Sequence, residues 1–71
     1  MNKVIAVLTE DEPGRVYSVI DGEIRARAYG WLSVRPMVAT DEWVINIYGN
    51  PERSGHPVCT IWADYIQKGD L

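Results

Sequence analysis

Apolar and polar positions along this chain fall into short, strand-length runs separated by clusters of turn residues. Residues 3–9 (Lys-Val-Ile-Ala-Val-Leu-Thr) are continuously apolar and rich in β-branched side chains, the pattern of a central strand covered on both faces. Glu10-Asp11-Glu12-Pro13-Gly14 ends that run, and three acids with a Pro-Gly pair predict a solvated turn. A second strand is expected over residues 15–20, followed by Asp21-Gly22. Asp-Gly is the strongest short hairpin signal here, because a type I′ turn needs positive φ at both central positions.

A two-residue loop fixes a register. Ile20 should face Glu23, Val19 Ile24, Ser18 Arg25, Tyr17 Ala26 and Val16 Arg27. Alternation then puts Tyr17, Val19, Ile24, Ala26 and Ala28 on one face and Ser18, Arg25 and Arg27 on the other. A short helix over residues 22–29, capped by Asp21 and stopped by Gly30, is the competing reading, since Ile24 and Ala28 would share a helical face. Strand is preferred. Gly30 should interrupt the pattern, which resumes in residues 31–34, and Pro36 should end that strand or hold it at an edge.

The densest β signal lies in residues 43–48 and 58–62, which flank a loop of turn residues at 49–57. This reads as the main hairpin, with Trp43, Ile45 and Ile47 on one face and a wetter face of Val44, Asn46 and Tyr48. Trp43 and Trp62 are expected in the core or a subunit contact. Residues 63–67 have the composition of one helical or 3₁₀ turn, and residues 68–71 that of a frayed end. The fold class is therefore mostly β: a small antiparallel sheet, or an SH3- or OB-like barrel, of five or six short strands. At most one short helical turn is expected, near the C-terminus. There is no internal repeat or low-complexity segment, and the 71 residues make a single domain, 1–71.

Composition narrows the function classes. The apolar share of 46% is that of a globular chain. One cysteine and one histidine supply neither an internal disulfide nor a zinc site. Self-association to a homo-oligomer is one way so small a core gains burial. No run is long enough for a signal-peptide core or a membrane span, and a lone reduced thiol fits a cytoplasmic life without membrane contact. Net charge is −3, unlike the basic balance of a dedicated nucleic-acid binder.

Catalytic constellations are sparse. His56 and Cys59 are the one nucleophile–base pairing the sequence offers, but Pro57 lies between them and no third, orienting group is evident. A loop histidine and a small buried thiol is the simpler reading. The paired acids Glu10/Glu12 and Asp41/Glu42 sit at turns, where carboxylates are solvated. No glycine-rich phosphate loop is present. The expectation is a protein without enzymatic activity, cofactor or metal.

The most suggestive stretch is Arg25-Ala26-Arg27-Ala28-Tyr29-Gly30-Trp31, with Arg35 beyond it. No acid occurs in residues 24–36, while acids flank them on both sides. As a strand it projects Arg25, Arg27 and Tyr29 to one side. Arginine beside aromatic rings suits a protein interface or a platform for single-stranded nucleic acid. The net charge favours the protein interface. The expected binding residues are Arg25, Arg27, Tyr29, Trp31 and Arg35, with a second, acidic patch of Glu10, Asp11, Glu12, Asp41 and Glu42. In the 49–57 loop, Arg53 and His56 are the candidates for polar recognition. In size, acidity and lack of catalytic groups the chain resembles the small inhibitor or adaptor proteins of phages and mobile elements, anti-defence proteins among them. That resemblance covers no motif. It implies a protein-binding module that occludes a surface on its target, the alternative being a β-barrel module for single-stranded nucleic acid.

Overall fold

Alternating β-branched side chains favour extended backbone, and almost every run of them becomes a strand. The computed structural model describes residues 3–69, which form β1 (Val4–Leu8), β2 (Gly14–Ile20), β3 (Glu23–Met37), β4 (Glu42–Tyr48), β5 (Cys59–Ala63) and β6 (Tyr65–Lys68). They make one six-stranded sheet in the order β5-β4-β3-β2-β1-β6. Neighbours are antiparallel except β1 and β6, which run parallel, so the sheet is mixed. It curls without closing.

The Asp21-Gly22 turn adopts the expected geometry, with φ of 53° and 80°. Ile20 faces Glu23 and Val19 faces Ile24, as the two-residue loop requires. Beyond that the register departs from expectation. A bulge between Ser18 and Val19 leaves Arg25 without a directly opposed partner, so Ser18 pairs with Ala26, Tyr17 with Arg27 and Val16 with Ala28. An extra residue in one strand reverses the assignment of faces beyond it. Ser18, Ala26 and Ala28 therefore share the inner face, and Arg27 joins Tyr17 on the outer one.

Gly30 does not break β3; it lets one long strand serve two hairpins. Residues up to Gly30 pair with β2, and residues from Trp31 pair with β4. A Cβ at Gly30 would sit 2.4 Å from the Tyr48 carbonyl oxygen and 2.8 Å from Ile47 Cγ2. Only glycine admits so close an approach of the neighbouring backbone. Pro36 is paired with Trp43 on the β4 side, while its other side is a strand edge, where a missing N–H costs no ladder bond.

The expected helical turn at residues 63–67 is absent. Ala63 ends β5, Asp64 makes a corner and Tyr65 starts β6. Two hydrogen bonds hold that corner to the start of β1: Val4 N donates to Asp64 Oδ2 (2.9 Å) and Asp64 N donates to the Val4 carbonyl (2.8 Å). A tertiary strand pairing thus overrides the local preference. The described residues contain no helix, and no helix long and apolar enough to cross a membrane.

Curling brings the inner faces of both ends of the sheet together. Ala6, Leu8 and Val16 pack against Ile45, Ile47, Ile61 and Ala63, all buried, with Val4, Ala28, Leu32, Trp43, Cys59 and Ile66 around them. Central placement of β1, between β2 and β6, agrees with its unbroken apolar run. Trp43 belongs to the core as expected. Trp62 does not: it is 49% exposed on the outer face.

Candidate binding face

Side chains of directly opposed residues lie on the same face of a sheet, so the ladder decides which groups share a surface. Along β3, Arg27, Tyr29, Trp31, Ser33 and Arg35 all alternate outward. Their neighbours across the ladder are Tyr17 beside Arg27, Arg15 beside Tyr29, Tyr48 beside Trp31, Asn46 beside Ser33 and Val44 beside Arg35. The rows continue to Val7 and Gln67 beyond Tyr17, and to Thr60 and Trp62 on β5. Tyr65 lies beside Ile5 and Val19.

Six of the seven aromatic side chains therefore occupy the outer face: Tyr17, Tyr29, Trp31, Tyr48, Trp62 and Tyr65. Tyr29, Tyr65 and Trp62 are the most exposed of them. Beneath and between these rings lie valines that the core does not use. Val7, Val19 and Val44 are no more than 8% exposed, yet they face away from the main cluster. Across the ladder Val7 is flanked by Tyr17 and Gln67, Val19 by Ile5 and Ile24, and Val44 by Arg35 and Trp62. Long amphipathic side chains cover apolar neighbours with their stems and ring bodies while their polar ends stay wet.

Charge separates by location. Arg15, Arg27 and Arg35 stand on the outer face, and Glu42, opposite Met37 at its margin, is the one acid the ladder places there. The remaining described acids occupy turns, the Asp64 corner or the inner-facing end of a hairpin. Asn46 Oδ1 accepts a 2.8 Å hydrogen bond from the Thr60 hydroxyl, fixing the polar middle of the face.

Of the residues expected to bind, Arg27, Tyr29, Trp31 and Arg35 form one continuous row. Arg25 stands apart: it lies in the bulge and pairs with Glu23 at 3.3 Å, both side chains well exposed. The expected acidic patch is not one surface. Asp41, with a φ of 59°, ends the β3–β4 turn and Glu42 starts β4. Glu10, Asp11 and Glu12 form the β1–β2 loop at a different part of the sheet. Within that loop the Thr9 hydroxyl hydrogen-bonds Asp11 and holds its carboxyl below the ordinary aspartate value, helped by the Asp11 backbone and by Arg15. The Thr9 oxygen also accepts a 2.7 Å bond from the Arg15 amide. Glu12 is engaged by the Arg53 guanidinium, so Arg53 clasps two loops together. His56 is exposed in its loop, and Cys59 is a half-buried free thiol facing the core with Ile47. Among the described residues no group of three or more His, Cys, Asp or Glu could hold a metal ion.

Sequence reasoning missed Tyr17, Tyr48, Trp62, Tyr65 and Arg15 as members of this face. Tyr65 falls in the segment read as a helical turn; the others alternate within their own strands, but sharing a surface with β3 depends on the bulge and on the β3–β4 and β4–β5 registers. Comparison with protein families, with curated proteins and with solved structures finds no match to this chain, so its function is argued from the geometry of this face alone.

Proposed function

We propose that the chain is a non-catalytic protein-binding module that docks through the outer face of its sheet onto an acidic, partly apolar surface of another protein. The carrying observation is the collection of six aromatic side chains with Arg15, Arg27 and Arg35 on one face, where Glu42 at the margin is the one acid the ladder places. Tyr, Trp and Arg are the side chains that dominate interface energies. Val7, Val19 and Val44, at no more than 8% exposure, give this face a dry apolar base, the condition under which a hot spot is most effective. Occluding a functional surface of its target is the mode of action this face suits, as in a small inhibitor or adaptor of phage origin acting in the cytoplasm.

The test is affinity capture from the native host with mass spectrometry, repeated with Arg27→Glu/Arg35→Glu. Reversal of two anchoring charges should weaken capture of the specific partner about tenfold or more. Equal capture by wild type and variant would place the interface elsewhere. A second reading, single-stranded nucleic acid, draws on the alternation of Arg27, Tyr29, Trp31 and Arg35 along one strand, since rings stack bases and arginines meet phosphates. An anisotropy titration with random oligonucleotides separates the two. Nucleic-acid binding falls steeply between about 50 and 200 mM salt, and no binding at the lower salt dismisses it.

A further inference from the structure

Away from the outer face, the curled sheet leaves one cleft open between the β1–β2 loop and the second half of β3. Leu8, Leu32 and Val34 face inward, yet Val34 is 37% exposed, because nothing in the described chain closes the sheet at this point. The opening has a volume of about 320 Å³, with Glu10, Asp11 and Lys68 on its rim. That is the lower end of the range for binding pockets, about 300–1,000 Å³.

Its wall is a strand edge. Residues 31–37 of β3 are paired with β4 on one side only. In an antiparallel ladder every second residue turns its N–H and C=O away from its partner. Arg53 Nε donates to the Leu32 carbonyl at 3.0 Å from the cleft side, which identifies Leu32 as such a residue and Val34, two positions on, as the next. Val34 thus presents both backbone groups to the cleft beside its apolar floor. The rim carries an excess of negative charge. Glu10, Asp11 and Glu12 line the cleft against Arg53 and Lys68, with Arg53 matching Glu12 and Arg15, outside the lining, acting on Asp11.

We propose that this cleft receives an extended peptide segment that adds to the Val34 edge of β3 and carries a lysine or arginine toward Glu10 and Asp11. Backbone pairing supplies affinity in such strand addition, and alternate side chains supply selectivity. One set of the segment's side chains lies on Leu8, Leu32 and Val34, and its cation meets the acidic loop. This site is separate from the outer face and goes beyond the reading given there.

The test is a ¹⁵N–¹H spectral titration with an acetylated, amidated peptide alternating valine and lysine. Shifts are expected at Val34, Leu32 and residues 9–12. Replacing the peptide's lysines by glutamate should weaken binding about tenfold or more. N-methylating one alternate set of its amides should abolish binding, while methylating the other set should not. These readouts leave the protein unaltered. In addition, Glu10→Lys/Asp11→Lys should weaken binding, and Glu52→Lys, outside the cleft, should leave it unchanged. No shift at the cleft with millimolar peptide, equal affinity of the glutamate peptide, or shifts confined to the outer face would overturn the proposal.

Discussion

On the inner face of the sheet the large, fully buried side chains are aliphatic, with Ile45, Ile47 and Val16 at 0% exposure. On the outer face Val7, Val19 and Val44 are nearly as dry, at 2%, 8% and 5%, but among the described residues no second sheet lies over them. The difference is in what does the covering. Inside, aliphatic groups from opposite ends of the sheet interdigitate, and none of them carries a polar atom that needs a partner. Outside, the valines stand in ladder rows with Tyr17, Trp62, Arg35, Gln67, Ile5 and Ile24, and amphipathic side chains among these can cover apolar neighbours while keeping their polar ends in water. A surface built this way offers a dehydrated apolar base between polar ends. The comparison shows that an outward-facing position need not be a wet one.

The comparison breaks most sharply in the core. Ile45→Ala should cost about 2–5 kcal/mol, the range for truncating a fully buried aliphatic side chain, measured as a shift in the urea midpoint at constant slope. Truncation of an outer valine should cost less because its cover can collapse inward: about 1–3 kcal/mol for Val44→Ala. A loss within about 0.5 kcal/mol, typical of plain surface positions, would mean that the rings do not seal the face. The smallest effect is expected in the acidic loop, where Asp11 titrates below the ordinary aspartate value of 3.8. Since its folded value is the lower one, its contribution to stability is present above the unfolded value and fades as pH falls through the folded value. Thr9→Val removes the responsible hydroxyl and should move the Asp11 midpoint up toward 3.8, read by NMR of the carboxyl carbon. An unchanged midpoint would assign the depression to Arg15 or the backbone instead.

Several elements were legible residue by residue. Asp21-Gly22 implied a type I′ turn with both φ values positive, and the structure has it. The apolar run of β1 implied a central strand, and β1 lies between two others. Inward Ile45 and Ile47 and the wetter Asn46 face followed from alternation alone. Arg27 and Tyr29 were read as projecting to one side, as they do, because a period of two is a local property of extended chain.

What failed depended on distant partners. Arg25 was separated from its row by a bulge whose signal is not in the Asp-Gly turn, and it pairs instead with Glu23. Residues 63–67 have helical composition, but Asp64 is hydrogen-bonded to Val4, sixty residues away. Arg53 looked like a free recognition residue. It proves to be a clasp between Glu12 and the Leu32 carbonyl.

By itself, then, the order of residues determined the strand segments other than β6, where they turn and which side chains alternate together within a strand, since those depend on backbone sterics and two-residue periodicity. Only the tertiary structure decided which strands beyond the two predicted hairpins are neighbours, and the register past the bulge. That choice gathered six rings and three arginines onto one surface and left the Val34 edge facing an open cleft. The reason is physical: pairing is selected by the burial of the whole curled sheet, a sum over contacts far apart in the chain that no local window contains.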